Sequence, residues 1–313
     1  MLQTKNLGIN RRAIQLIALL GGGSLFVALF CTFSSIKLPI FFSSVPLFVA
    51  YLSFGEVIGF GATALASAVI ALLVPIEVSC EIILNIFAPA ALLGHFSIKS
   101  ITKGHKVWWY PESFLLRNFM LLSLFSVILL SLTFCTEQAM TEASQTAMNI
   151  LLNNSKDGNS VNAIAVKNYL SAFVKYSVGI SVVMKMMMCI LNFQFGHLIS
   201  KRLKKNIRSE FNFSDIRISN WMILLPLVSL SLSYVFPQSS FVLCGIFVVS
   251  LFAPTVSGLS LIHCFYERKH KRRILMAYYL ALFMMPIPML ASTALLGIID
   301  GLYPIREQIK IRN

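Results

Sequence analysis

Lys185 lies within Ser181-Val-Val-Met-Lys-Met-Met-Met-Cys-Ile190, an amine set in a long apolar run. Placing a lysine at the centre of a membrane-spanning helix costs about 2.5–3.5 kcal/mol on insertion scales. Such an ammonium must face a bundle interior, a water-filled cavity, a carboxylate or a bound anion. It is therefore a residue that could hold a solute. Lys175 lies ten residues earlier, on a related helix face. Glu77 and Glu81, four apart, share one face if their helix begins early enough. They are expected near the depth of Lys175, where an ion pair would be reasonable. No carboxylate is an obvious partner for Lys185. Asn192, Gln194, backbone carbonyls and a bound anion are the alternatives. A lysine satisfied within the bundle and a ligand or transport role both stay open.

Other chemistries find less support. His95, His105, His197, His263 and His270 lack the paired spacing of a zinc site, and no metal is expected. No Walker A, GxSxG or supported GxGxxG motif occurs, so no cofactor and no enzymatic activity are expected. A lipid-processing enzyme would need a nucleophile beside Glu77 and Glu81, and none is near. The six cysteines form no CxxC pair. Cys31, Cys80, Cys135 and Cys244 fall near the outer ends of their runs in the count below, which allows a disulfide; free thiols are the default.

The elements that must position these residues are membrane helices. Of 313 residues, 57% are hydrophobic and only 12% charged, too few charges to coat a water-soluble globule. The net charge of +14 sits in short loops rather than in a nucleic-acid-binding domain. The expected fold is an all-α transmembrane bundle of about nine spans, eight at the least, with a cytoplasmic N-terminus and a single membrane domain over 1–313. The runs are 13–33, 38–54, 57–76, 80–98, 114–135, 171–199, 220–236, 240–265 and 274–299. The first is read as an uncleaved span.

Lys5, Arg11 and Arg12, then Lys99, Lys103 and Lys106, then the basic loop at 200–219, then Arg268 to Arg273 fall on one side in this count. That side is cytoplasmic by the positive-inside rule. Glu56 would be cytoplasmic and Asp300 outer. Nine spans also place the tail outside, unless one run is re-entrant or the run broken at Met285-Pro-Ile-Pro288 is a hairpin. Residues 136–169 form an outer polar loop, a connector or a helical hairpin serving as a lid. His105 to Tyr110 has the composition of an interfacial belt.

Gly55, Gly59, Ala62 and Ala66 recur at helical spacing, as small residues do where helix backbones meet closely in lipid. Whether they meet another helix of the chain or a partner is open.

Three stretches carry a resemblance. They are Ala294-Leu-Leu-Gly-Ile-Ile-Asp-Gly-Leu-Tyr-Pro-Ile-Arg306, Leu38-Pro-Ile-Phe-Phe-Ser-Ser-Val-Pro-Leu47 with Gly55, and Trp221 to Pro226 after the polar stretch 211–219. Together they resemble the YybS-like family of bacterial predicted membrane proteins, a domain of unknown function. That family is distantly similar to the substrate-binding subunits of energy-coupling-factor vitamin transporters and to MreD-type cell-shape proteins. The resemblance implies a multi-pass protein of the bacterial inner membrane and assigns no functional residues.

Two functions follow as expectations. One is a solute-binding or transport subunit, energised by a partner such as an ATPase module, with Lys185, Lys175, Glu77 and Glu81 as its polar interior. The other is a non-catalytic scaffold for envelope-assembly proteins, which would use the small-residue stripe or the basic loops. The lipid bilayer is a partner in either case, and nucleic acid in neither.

Overall fold

The computed structural model describes residues 11–33, 42–103, 106–133, 142, 145–146, 149, 163–208, 211–268, 272–303 and 305–306. The polar loop at 136–169 lies largely outside the described residues, as does His105. The described chain is helical, with one two-stranded hairpin. Among the described residues, six helical stretches are long and apolar enough to cross a membrane: Arg11–Phe30, Glu56–Leu73, Ile76–Ser97, Glu112–Ser131, Phe173–Arg202 and Ser240–Tyr266.

The chain divides into two compact units, residues 1–111 with 185–211, and 112–184 with 212–313. In the first unit, α1 (Arg11–Phe33) packs on α3 (Glu56–Leu73). The short α2 (Val45–Phe54) packs on both α3 and α4 (Ile76–Ser97). Close approach depends on missing side chains. A Cβ on Gly21 would stand 2.8 Å from the Ala62 carbonyl oxygen, and one on Gly59 would overlap the Tyr51 ring. Ala62, Ala66 and Tyr51 are all fully buried. Gly55 turns the chain between α2 and α3 at φ +89°, a conformation side chains resist. Ser79 closes the turn between α3 and α4 by donating to the Val74 and Ile70 carbonyls at 2.8 and 3.1 Å.

Between α4 and α5 (Glu112–Thr133), β1 (Ser100–Lys103) pairs antiparallel with β2 (Lys106–Trp109). This hairpin departs from a wholly helical chain. Its Ile, Val and Trp residues favour the pleated conformation. Arg208 fastens its base, donating to the Tyr110 and Ser97 carbonyls at 3.2 and 3.5 Å.

The long α6 (Ala163–Arg202) contributes its first half to the second unit and its second half to the first. In the second unit its Gly179 faces the Gly245 backbone of α8 (Ser240–Ser250), and Gly245 in turn meets Val127 of α5. The Pro226-containing α7 (Asn220–Val235) also packs on α8. Helix α9 (Phe252–Arg268) continues from α8.

The last apolar run is two helices, α10 (Arg272–Met284) and α11 (Pro286–Leu302). Pro286 disfavours a helical conformation at the residue before it, and Met285 adopts φ −133°, ψ 66°. Pro286 then occupies the first turn of α11, where its missing N–H costs nothing. Tyr278 and Thr293 hydrogen-bond across the break. In one straight helix, fifteen residues would separate them by about 22 Å. The run therefore folds back on itself, which corrects the expectation of a ninth single span. Along α9 and α11, Cβ atoms on Gly258 and Gly297 would overlap the carbonyls of Thr293 and Pro254.

Gly258→Leu should therefore lower thermal stability by at least the roughly 1–3 kcal/mol of an overpacked core. Gly22→Ala, with no atom within 4 Å of the added Cβ, should leave it unchanged. Melting curves of the two purified variants check both expectations.

Candidate functional site

Lys185 forms an ion pair with Glu81. The carboxylate that the sequence offers no reason to choose is thus its partner, which corrects the reading of Lys185 as lacking one. Both residues belong to the first unit. At about 1.5 Å per residue, Lys185 stands about 25 Å up its helix from Arg202 and Glu81 about 24 Å up its own from Ser97. The two distances agree, so the pair bridges equal levels of the two helices. Lys185 lies within three residues of the midpoint of the 40-residue α6, whereas Glu81 lies five residues into its own helix.

The local structure around Glu81 is unusual. Residues Ile83–Phe87 form a π-helical turn in which the Ala88 N–H reaches the Ile83 carbonyl. Pro89 follows two residues later. It has no N–H and its ring crowds the carbonyl four residues back, that of Asn85, so a widened turn accommodates it. Asn85 is buried inside this turn, and its amide donates to the Glu81 carbonyl at 3.1 Å.

Below Lys185, the same face of α6 carries Cys189, Asn192, Gly196 and Ser200, all buried. Asn192 donates to the Ser44 hydroxyl at 2.7 Å. Gly196 lets the helix close on Phe48 of α2, and Ser53 donates to Ser200 at 2.8 Å. Lys185 thus stands at one end of a buried stripe whose Asn192, Gly196 and Ser200 meet Ser44, Phe48 and Ser53 at and along α2.

The other site candidates fall elsewhere. Glu77 is exposed and not joined to Lys185. Lys175 is exposed and belongs to the second unit. Gly59, Ala62 and Ala66 face inward, and Gly55 forms a turn. Cys80, Cys189, Cys244 and Cys264 are free thiols. Among the described residues, no group of three or more His, Cys, Asp or Glu could hold a metal ion.

Two further ionic clusters went unread in the sequence. At the basic end of the first unit, Glu56 pairs with Lys99 at 2.9 Å and lies 3.6 Å from His95. In the second unit, Asp300 and Arg306 form an ion pair at 2.9 Å, with both side chains only 2% exposed. Arg306 also donates to the Ser214 and Ser257 carbonyls at 2.6 and 3.0 Å and to the Ser260 hydroxyl at 3.0 Å. Burial lowers the Arg306 pKa from its ordinary value, and the Asp300 carboxylate opposes that shift. Ser214 belongs to the polar loop beside Arg217, so Asp300 lies at the loop end of its unit. The expectation of Asp300 at the opposite end assumed one straight final span.

Removing one partner of a fully buried pair leaves an unpaired charge. Arg306→Met should cost about 3–5 kcal/mol of stability, and Asp300→Asn in the same chain should restore part of it. Glu81→Gln, at a half-exposed pair, should cost no more than about 1 kcal/mol. Thermal melting in detergent ranks the variants.

No curated protein and no solved structure matches the chain. The family model described as "Predicted membrane protein (DUF2232)" matches residues 23–301, a region that holds Glu81, Lys185 and Asp300. The chain belongs to this DUF2232 family of predicted membrane proteins.

Proposed function

We propose that the chain is a small-solute-binding membrane protein of the bacterial inner membrane, a transport subunit energised by a partner rather than an enzyme. The observation that carries this is the Lys185–Glu81 pair, an ionic contact held between two helices that are each apolar enough to span a membrane. Ionisable residues within spanning segments are rare and mark solute and ion pathways in many membrane proteins. The π-helical turn beside Glu81 supports the same reading, since such turns concentrate at functional sites.

The topology belongs to the proposal. The loop at 200–219 is rich in Lys and Arg, which favours its placement in the cytoplasm. Arg306 bonds to Ser214 of that loop, so the C-terminal end enters the same compartment. The α10–α11 pair is then a hairpin entered from the cytoplasm. A bilayer core is about 30 Å thick, so the Lys185–Glu81 level lies toward its outer boundary. There the site would receive solute from outside. The scaffold alternative would use the small-residue stripe or the basic loops, and the stripe is not free for it. Gly59, Ala62 and Ala66 are instead occupied by contacts within the chain.

Mass spectrometry of the protein purified from its native membrane should find a stoichiometric small molecule that Lys185→Met loses while insertion is preserved. Retention of that molecule by Lys185→Met, or envelope-assembly proteins with no small molecule, would overturn the proposal. A reporter fused after Asn313 should be active as a cytoplasmic fluorescent fusion and inactive as an exported phosphatase. The reverse pattern would contradict the hairpin topology.

A further inference from the structure

We propose that Glu81 is the displaceable counter-ion of an oxyanion site whose fixed cation is Lys185. This rests on the solute-binding reading and names the ligand class: a carboxylate or phosphate group. The two partners are unequally enclosed. The Lys185 side chain is 13% exposed and that of Glu81 48%. Lys185 stands on a helix held by Val182, Met186 and Cys189, each 3% exposed or less. The ammonium is therefore the more enclosed partner and is favoured by a negative group beside it. The Glu81 carboxylate is the less enclosed partner and is the one free to leave. Its backbone need not follow, because the Asn85 amide holds the Glu81 carbonyl. Among the described residues, Lys185 is the one ion-pair partner of that carboxylate.

An incoming oxyanion that replaces Glu81 exchanges one anion for another. The lysine is never left unpaired, and Glu81 swings to its more exposed side. Lys185 is suited to this role as a compact charge with three donors that accept any oxyanion geometry. The pair's level toward one membrane boundary admits two sources of the same chemistry, a free anionic solute or an anionic lipid headgroup.

The test uses the full-length chain in detergent. Inorganic phosphate is titrated against wild type, Glu81→Gln, Lys185→Arg and Lys185→Met, with melting temperature as the readout. Native mass spectrometry scores phosphatidylglycerol carried on the same four proteins. Removing the competing carboxylate should tighten phosphate about fivefold in Glu81→Gln, the most that a half-exposed ion pair can withhold. Lys185→Arg should keep the response and Lys185→Met should lose it. Greater carriage of phosphatidylglycerol by Glu81→Gln than by wild type, with no phosphate response, assigns the headgroup as the source and supports the proposal equally. If Glu81→Gln binds phosphate and lipid no better than wild type, the proposal is overturned. If Glu81→Gln and Lys185→Met both lose the molecule that wild type carries, the solute site stands and Glu81 is a ligand rather than a counter-ion.

Discussion

Helices in a bilayer gain nothing by burying apolar surface against one another, because the lipid they leave is equally apolar. This constraint governs how the two units are built. What remains is close backbone approach and a few polar contacts that hydrocarbon cannot replace. Gly21 against Ala62, Gly59 against Tyr51, Gly179 against Gly245 and Gly258 against Thr293 supply the first. Each contact would be lost to a single added carbon. The serines follow the same logic. Ser123, Ser126 and Ser229 return their hydroxyls to carbonyls one turn back, so their polarity is satisfied within their own helices.

The ionic contacts divide by enclosure. Asp300 and Arg306 are sealed, and Arg306 reaches three further backbone or hydroxyl oxygens from α9 and the polar loop. That arrangement fastens the end of α11, with both terminal nitrogens of Arg306 engaged by the protein's own oxygens. Lys185 and Glu81 differ. One partner is enclosed and the other is half-exposed, and the helix beside them departs from regular geometry. A contact of this kind contributes little to stability, so its placement within spanning helices calls for a functional account.

Much of the architecture was legible in the residues because membrane helices announce themselves by length and composition. Apolar runs mark the six long helices, and Gly59 and Ala62 lie where helical spacing puts a contact face. The pairing of Lys185 was not legible. Glu81 lies 104 positions away, and no local pattern ties two helices in register across that separation. The placement of Asp300 failed for a related reason. Met285-Pro286 was visible as a break, but a break alone does not distinguish a kink from a reversal. Only the Tyr278–Thr293 contact does that. The π-helical turn had one signal, Pro89 inside a run, which proline's frequency in membrane helices makes weak. The hairpin at 100–109 was concealed by its basic residues, which read as an interfacial loop.

The account depends on Lys185 and Glu81 meeting inside the membrane protein as purified. A double-mutant cycle tests this directly, with melting free energies measured for wild type, Glu81→Lys, Lys185→Glu and the exchanged pair. Each single change places like charges together and should destabilise the protein. The exchange should recover most of that loss, giving a coupling that the sum of the two single effects does not. Additive losses, with no recovery in the exchanged protein, would mean that the two side chains do not interact and would remove the site on which the proposed function stands.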